Sequence, residues 1–163
     1  TCALPIFPYE LFKRILAFFR YYTEQEHPLE VMVQIYWDSL KKRFLVVVPY
    51  QHVSGVEIRV PEEQPGQLDE ERFYYYADVH SHNIMPAFFS EQDNRDELAT
   101  RLYIVVGRLQ RPSPEIRARI SNGGKFMEIP LKDVVEVSLA EFPEYWTASV
   151  APSFTANRKG NAL

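Results

Sequence analysis

The sequence predicts an α/β (α+β) fold, a single domain with a mixed central β-sheet flanked by helices, and three observations predict it. The chain has 163 residues, 46% of them hydrophobic, which is enough for one core and too little for two. An amphipathic run at helical spacing precedes a series of short apolar runs at strand spacing. A second, polar helical stretch with a capping signature interrupts that series, so helices and strands share one layered unit. The domain is expected to span residues 1–150. Residues 151–163 mix Pro, Ser, Thr, Asn, Gly and basic residues without periodicity and read as a loose tail.

The first element follows from Leu11, Ile15, Phe18, Phe19 and Tyr22, which recur at helical spacing and predict a helix over residues 8–22. Pro28 stops any continuation, and Val31, Val33 and Ile35 then alternate with Met32 and Gln34, predicting a strand over 30–38. A polar turn over 38–43 and a β-branched run over 44–48 complete a hairpin. A short strand is expected at 56–60, then a solvated loop over 61–71 with two prolines and five acidic residues. The aromatic, β-branched segment 73–79 predicts a strand that ends at His80. Ser90, with Glu91 and Asp93 after it, has the pattern of a helix N-cap, and a polar helix is expected over 91–100. Residues 102–106 read as a buried strand. Ile116, Ala118 and Ile120 alternate with Arg117 and Arg119, and Gly123-Gly124 joins them to 126–129 in a second hairpin. Residues 130–137 suit a last short helix or strand.

Composition excludes several function classes. The net charge is −4 and the basic residues are scattered, so neither nucleic acid nor an anionic membrane is an expected partner. The apolar run at 15–19 is far too short to span a bilayer. No signal peptide is recognisable, which makes a cytoplasmic location the default expectation. With Cys2 as the only cysteine, an intrachain disulfide and a Cys-x-x-Cys zinc site are both ruled out. Any metal must be held by nitrogen and oxygen.

His80-Ser81-His82 supplies such ligands. Residues two apart on a strand face the same side, roughly 6.6 Å apart along the chain, so the two imidazoles can converge on one ion. Asp93, at the start of the following helix, can return to the strand end as the third ligand. Two histidines and a carboxylate leave a tetrahedral zinc one open position, as in catalytic sites.

The order His80, His82, seven residues, Ser90, two residues, Asp93 resembles the JAMM motif of the JAB/MPN+ metallopeptidases, the prokaryotic JAB branch in particular. That resemblance covers about residues 8–137 and implies an MPN/JAB-like domain, whose architecture is related to that of cytidine deaminases. It implies a Zn2+ ion on His80, His82 and Asp93. It also implies a catalytic base at Glu30, which follows Pro28-Leu29 after the first helix, and a catalytic Ser90 that hydrogen-bonds the scissile carbonyl. The implied activity is a zinc-dependent peptidase or isopeptidase acting on a ubiquitin-like or sulfur-carrier-like protein, with an activating-enzyme-like partner. A noncatalytic MPN scaffold and a JAB peptidase acting on cell-wall peptides are the alternatives. The sequence departs from the family pattern at Asn83, where proline usually follows the second histidine, and in the bulky strand after Glu30.

Simpler roles stand beside these. Ser90 and Asp93 also suit a helix cap, and Ser81 should face the other side of the strand in a supporting role. His27 and His52 have no partner at ligand spacing. Tyr74, Tyr75 and Tyr76 read as sheet packing. A nucleobase deaminase is excluded because it needs His-x-Glu and Pro-Cys-x-x-Cys, and no His-Glu-x-x-His helix motif occurs.

Overall fold

The computed structural model of the chain describes residues 5–136 except 67, together with 148 and 150. Its elements in chain order are α1 (Tyr9–Thr23), β1 (Met32–Asp38), β2 (Arg43–Val47), β3 (His52–Val53), β4 (Ile58–Arg59), β5 (Phe73–Ser81), α2 (Glu91–Asp96), β6 (Arg101–Gly107), β7 (Glu115–Asn122) and β8 (Lys125–Ile129). A 3-10 turn, Leu131–Asp133, follows. None of the described helices is long and apolar enough to cross a membrane.

Pro8, whose fixed φ suits a helix entry, precedes α1. The helix buries Phe12, Ile15, Phe19 and Thr23, a stripe at spacings of three and four. Phe12 takes the central place expected of Leu11, while Leu11, Phe18 and Tyr22 flank the stripe half-buried. This stripe covers one face of a six-stranded sheet ordered β2-β1-β5-β6-β7-β8. All neighbours are antiparallel except β5 and β6, which run parallel. A parallel pair cannot be joined by a tight turn, so the chain must cross over between them, and α2 lies on that crossover.

Strand alternation then sorts the side chains. Val33, Ile35, Ala77, Val79, Ile104, Val106 and Ala118 enter the core under α1. The opposite face carries the row Met32, His80, Val105 and Arg117, with Gln34, Asp78, Tyr103 and Arg119 in the row beside it. A bulge where β1 meets β5 puts Tyr36 opposite Tyr75 and leaves Tyr76 unpaired. Tyr75 stacks on Tyr36 with ring centroids 4.5 Å apart, while Tyr76 is buried in the core.

Several elements differ from the expected ones. The first strand begins at Met32, so Glu30 sits just outside it, its amide donating to Ser54 O at 2.8 Å. Residues 56–60 contribute only Ile58–Arg59, paired with His52–Val53 in a separate two-stranded ribbon. β5 runs on through His80 and Ser81, because parallel pairing to Val105 and Val106 continues to its end. The helix expected to reach residue 100 stops at Asp96, since Glu97 turns inward to meet Arg119. After the 3-10 turn, Val135 forms a parallel bridge with Phe7. The expected tail, 151–163, lies outside the described residues.

Candidate metal centre

His80 is the last site-facing residue of β5, and His82 follows one step beyond the strand. Ser81 between them points away from the site face, as alternation requires. Its hydroxyl accepts a hydrogen bond from Val31 N at 2.9 Å, and its own amide donates to Val31 O at 2.9 Å. This pair of hydrogen bonds between Ser81 and Val31 fixes the position of Glu30 beside the end of β5.

The loop after His82 is held against the end of β6. His82 N donates to Val106 O at 2.8 Å, Arg108 N to Met85 O at 2.7 Å, and Leu109 N to Asn83 O at 2.9 Å. Gly107 permits this approach, because a Cβ there would lie 2.4 Å from Ala87 N and from Met85 O. Asn83 has φ 48°, a left-handed conformation that asparagine tolerates and proline cannot adopt. Its side-chain amide donates to Gly55 O at 3.3 Å, joining this loop to the β3–β4 ribbon.

Asp93 reaches the site through the cap of α2. Ser90 Oγ accepts from Asp93 N at 3.1 Å, and Asp93 Oδ2 accepts from Ser90 N at 2.6 Å, a reciprocal capping box. The other carboxylate oxygen, Oδ1, lies 3.6 Å from His80 Nε2. Cap and site therefore use different oxygens of one side chain. Ser90 in turn accepts through its oxygen in the cap, which leaves its proton for another acceptor.

His80 Nε2 and His82 Nε2 are 3.2 Å apart, and ligand atoms of His80, His82 and Asp93 all lie within 4.8 Å of one another. Tetrahedral zinc with bonds of about 2.0–2.1 Å to nitrogen separates its ligand atoms by about 3.3 Å, close to the 3.2 Å between the two imidazoles and the 3.6 Å from His80 Nε2 to Asp93 Oδ1. The protonation states fit as well. Burial pushes the His80 pKa down to about 4 against the opposing pull of Asp93, with His82 and Arg119 lowering it further. Burial also lowers that of His82, while Asp93 and the Pro86 carbonyl oppose the shift. Although that carbonyl acts on the ring, no bond of normal geometry satisfies the buried His82 Nδ1. Both rings are neutral at pH 7 and present lone pairs, as metal binding requires.

These residues line a cavity of about 500 Å³, with Glu30 in its wall and Val56, Ile58, Met85 and Phe88 among its apolar lining. Glu30 is 5% exposed. Burial first, and the negative charge of Asp93 second, push its pKa up to about 8.

Residues 12–121 match the family described as prokaryotic homologs of the JAB domain, an interval that contains all five residues from Glu30 to Asp93 named above. The chain belongs to this family. Among solved structures, the JAB domain is similar to the solution structure of protein DSY2949 from Desulfitobacterium hafniense, at 17% identity and a TM-score of 0.47, over 77% of this chain and 90% of that one. No curated protein matches it.

The structure of this JAB domain brings His80, His82, Asp93, Ser90 and Glu30 to one cavity. Sequence reasoning missed Gly107, the Val31–Ser81 clasp, and the buried pair of Arg119 with Glu97. For Arg119 the one available signal was a charged residue in an otherwise apolar-alternating strand, and that pattern also fits a solvent-facing side chain.

Proposed function

We propose that this JAB domain is a zinc-dependent peptidase or isopeptidase. The observation that carries the reading is the convergence of two neutral imidazoles and one carboxylate oxygen, in a cavity whose wall holds a buried glutamic acid. His80, His82 and Asp93 would hold the ion. When bound, zinc supplies Lewis acidity and makes water acidic enough to react near neutral pH.

The chain's own groups supply the rest. Glu30 accepts a proton from the attacking water and returns it to the leaving amine. Its pKa of about 8 keeps it protonated at neutral pH, and the positive charge of an ion held by His80, His82 and Asp93 would favour its carboxylate form. Ser90 donates its free proton to the scissile carbonyl oxygen. Met32, Ile58 and Met85 give the cavity half-buried apolar lining beside these groups. The resemblance to JAMM peptidases supports a ubiquitin-like or sulfur-carrier-like protein as substrate, presented with an activating-enzyme-like partner.

The test is cleavage of a C-terminal fusion to a ubiquitin-like protein by the zinc-loaded chain, with a muropeptide assayed in parallel. The fusion should be cut, and Glu30→Gln should lower kcat by about 10²–10⁴-fold with zinc content unchanged. Cleavage of the muropeptide alone would move the substrate to the cell wall. A chain that holds zinc but cleaves neither, with Glu30→Gln silent in a broad peptide screen, would return it to the scaffold class.

A further inference from the structure

α2 delivers Asp93 to the metal centre, yet it lacks the usual means of staying in place. It has six residues, and none of them is buried. So short a helix is unstable alone, and helices in proteins are normally held by an apolar face packed on a core. Among the described residues, Gln92, Arg95 and Asp96 make side-chain hydrogen bonds only within the helix. The capping box is also local.

What reaches α2 from the sheet is Arg119 of β7. Its guanidinium donates from Nη1 to Asn94 Oδ1 at 2.6 Å, and from Nε and Nη2 to Glu97 Oε2 at 2.8 and 2.6 Å. It is sandwiched between two rings, with Cζ 3.9 Å from the centroid of Phe89 and 3.8 Å from that of Phe126. Phe89 immediately precedes the cap of α2, Asn94 lies within the helix, and Glu97 is its C-cap. One side chain, 4% exposed, therefore grips the helix before its start, in its middle and at its end. Only a planar, multiply donating cation can fill this place, because its edge bonds two acceptors while its faces lie on two rings.

We propose that Arg119 is a positioning residue for the metal centre: by clamping α2 against β7 it holds Asp93 Oδ1 at ligand distance from His80. The clamp substitutes for the apolar face that α2 lacks. This inference rests on the reading of His80, His82 and Asp93 as metal ligands. Partners that orient ligands without touching the metal typically change its affinity by about 10–100-fold, and that is the effect expected here.

The experiment measures Co2+ and Zn2+ affinity by chelator competition, together with the electronic spectrum of the cobalt-loaded full chain. Wild type, Asp93→Ala, Arg119→Lys and the double variant Arg119→Met with Glu97→Met are compared. The double variant removes both buried charges together, so that no carboxylate is left unpaired in the interior. It should unfold cooperatively, bind cobalt about 10–100-fold more weakly, and show a spectrum displaced toward that of Asp93→Ala. Arg119→Lys, which retains the charge but cannot bond both acceptors while lying between the rings, should fall between. If the double variant does not fold, Arg119→Lys decides by the same two readouts. Wild-type affinity and spectrum in a folded Arg119 variant would overturn the clamp while leaving the metal site standing. Absence of cobalt and zinc binding in the wild type would overturn both.

Discussion

Glu30 owes its raised pKa to its position between the end of β5 and the β3–β4 ribbon, where burial removes water and Asp93 adds like charge. The sign of the consequence can be worked out. A carboxyl that titrates at 4.5 in the unfolded chain and at about 8 in the folded one leaves the folded state with the extra proton between those values. Its contribution to stability is therefore full below about pH 4.5 and is lost as pH rises through 8. In chelator, the urea midpoint of the wild type should fall from pH 5 to pH 8 relative to Glu30→Gln, by on the order of a few kcal/mol in unfolding free energy. The two histidines, whose pKa values are lowered, contribute the opposite slope in both proteins and cancel in the comparison. Parallel curves would show that Glu30 ionises normally. Asn83 also acts at this scale: its φ of 48° explains why the proline usual at that position is absent, because proline could not make this turn.

The loop that follows His82 is held by close backbone approach more than by side-chain packing. The loop over residues 82–87 lies on the end of β6 through backbone hydrogen bonds, and a side chain at Gly107 would strike that loop. Gly107→Ala is expected to destabilise the fold by about 1–3 kcal/mol, the usual range for forced overpacking. It should also weaken zinc binding, because the backbone displaced is the one that fixes His82. Denaturant unfolding and zinc competition measured on the same protein check both parts. A variant with unchanged stability would mean that the loop yields freely. At this scale the sequence was informative where one chemical pattern dominated. The alternation of Val33 and Ile35 gave β1, and Ser90 with Asp93 gave the start of α2. It was not informative about the end of α2, since nothing local distinguishes Glu97 as a partner of Arg119 22 positions away.

For the molecule as a whole, the parallel pairing of β5 with β6 places the site: the crossover it requires passes over the end of β5 and carries α2 back to the strand. The candidate ligands then come from a strand, a loop and a helix, so an ion bound there would tie these elements together in the folded state only. Zinc at about 100 times its Kd should stabilise the fold by about 2.7 kcal/mol, or about 5–10 °C in Tm for a chain of this length. Thermal unfolding with zinc and with chelator measures this, and Asp93→Ala should abolish most of the difference. Equal Tm values in the wild type would contradict metal binding by the native state. The sequence by itself determined the α+β class, the helix before the first strand, and the candidate ligands His80, His82 and Asp93, because the two histidines share one strand face and the spacing to Ser90 and Asp93 matches the JAMM motif. Only the tertiary structure decided that Glu30 stands beside them, through a clasp between Val31 and Ser81 spanning 50 positions, and that Arg119 grips α2. Such long-range meetings depend on strand order and register, which arise from the packing of the whole sheet and leave no local pattern to read.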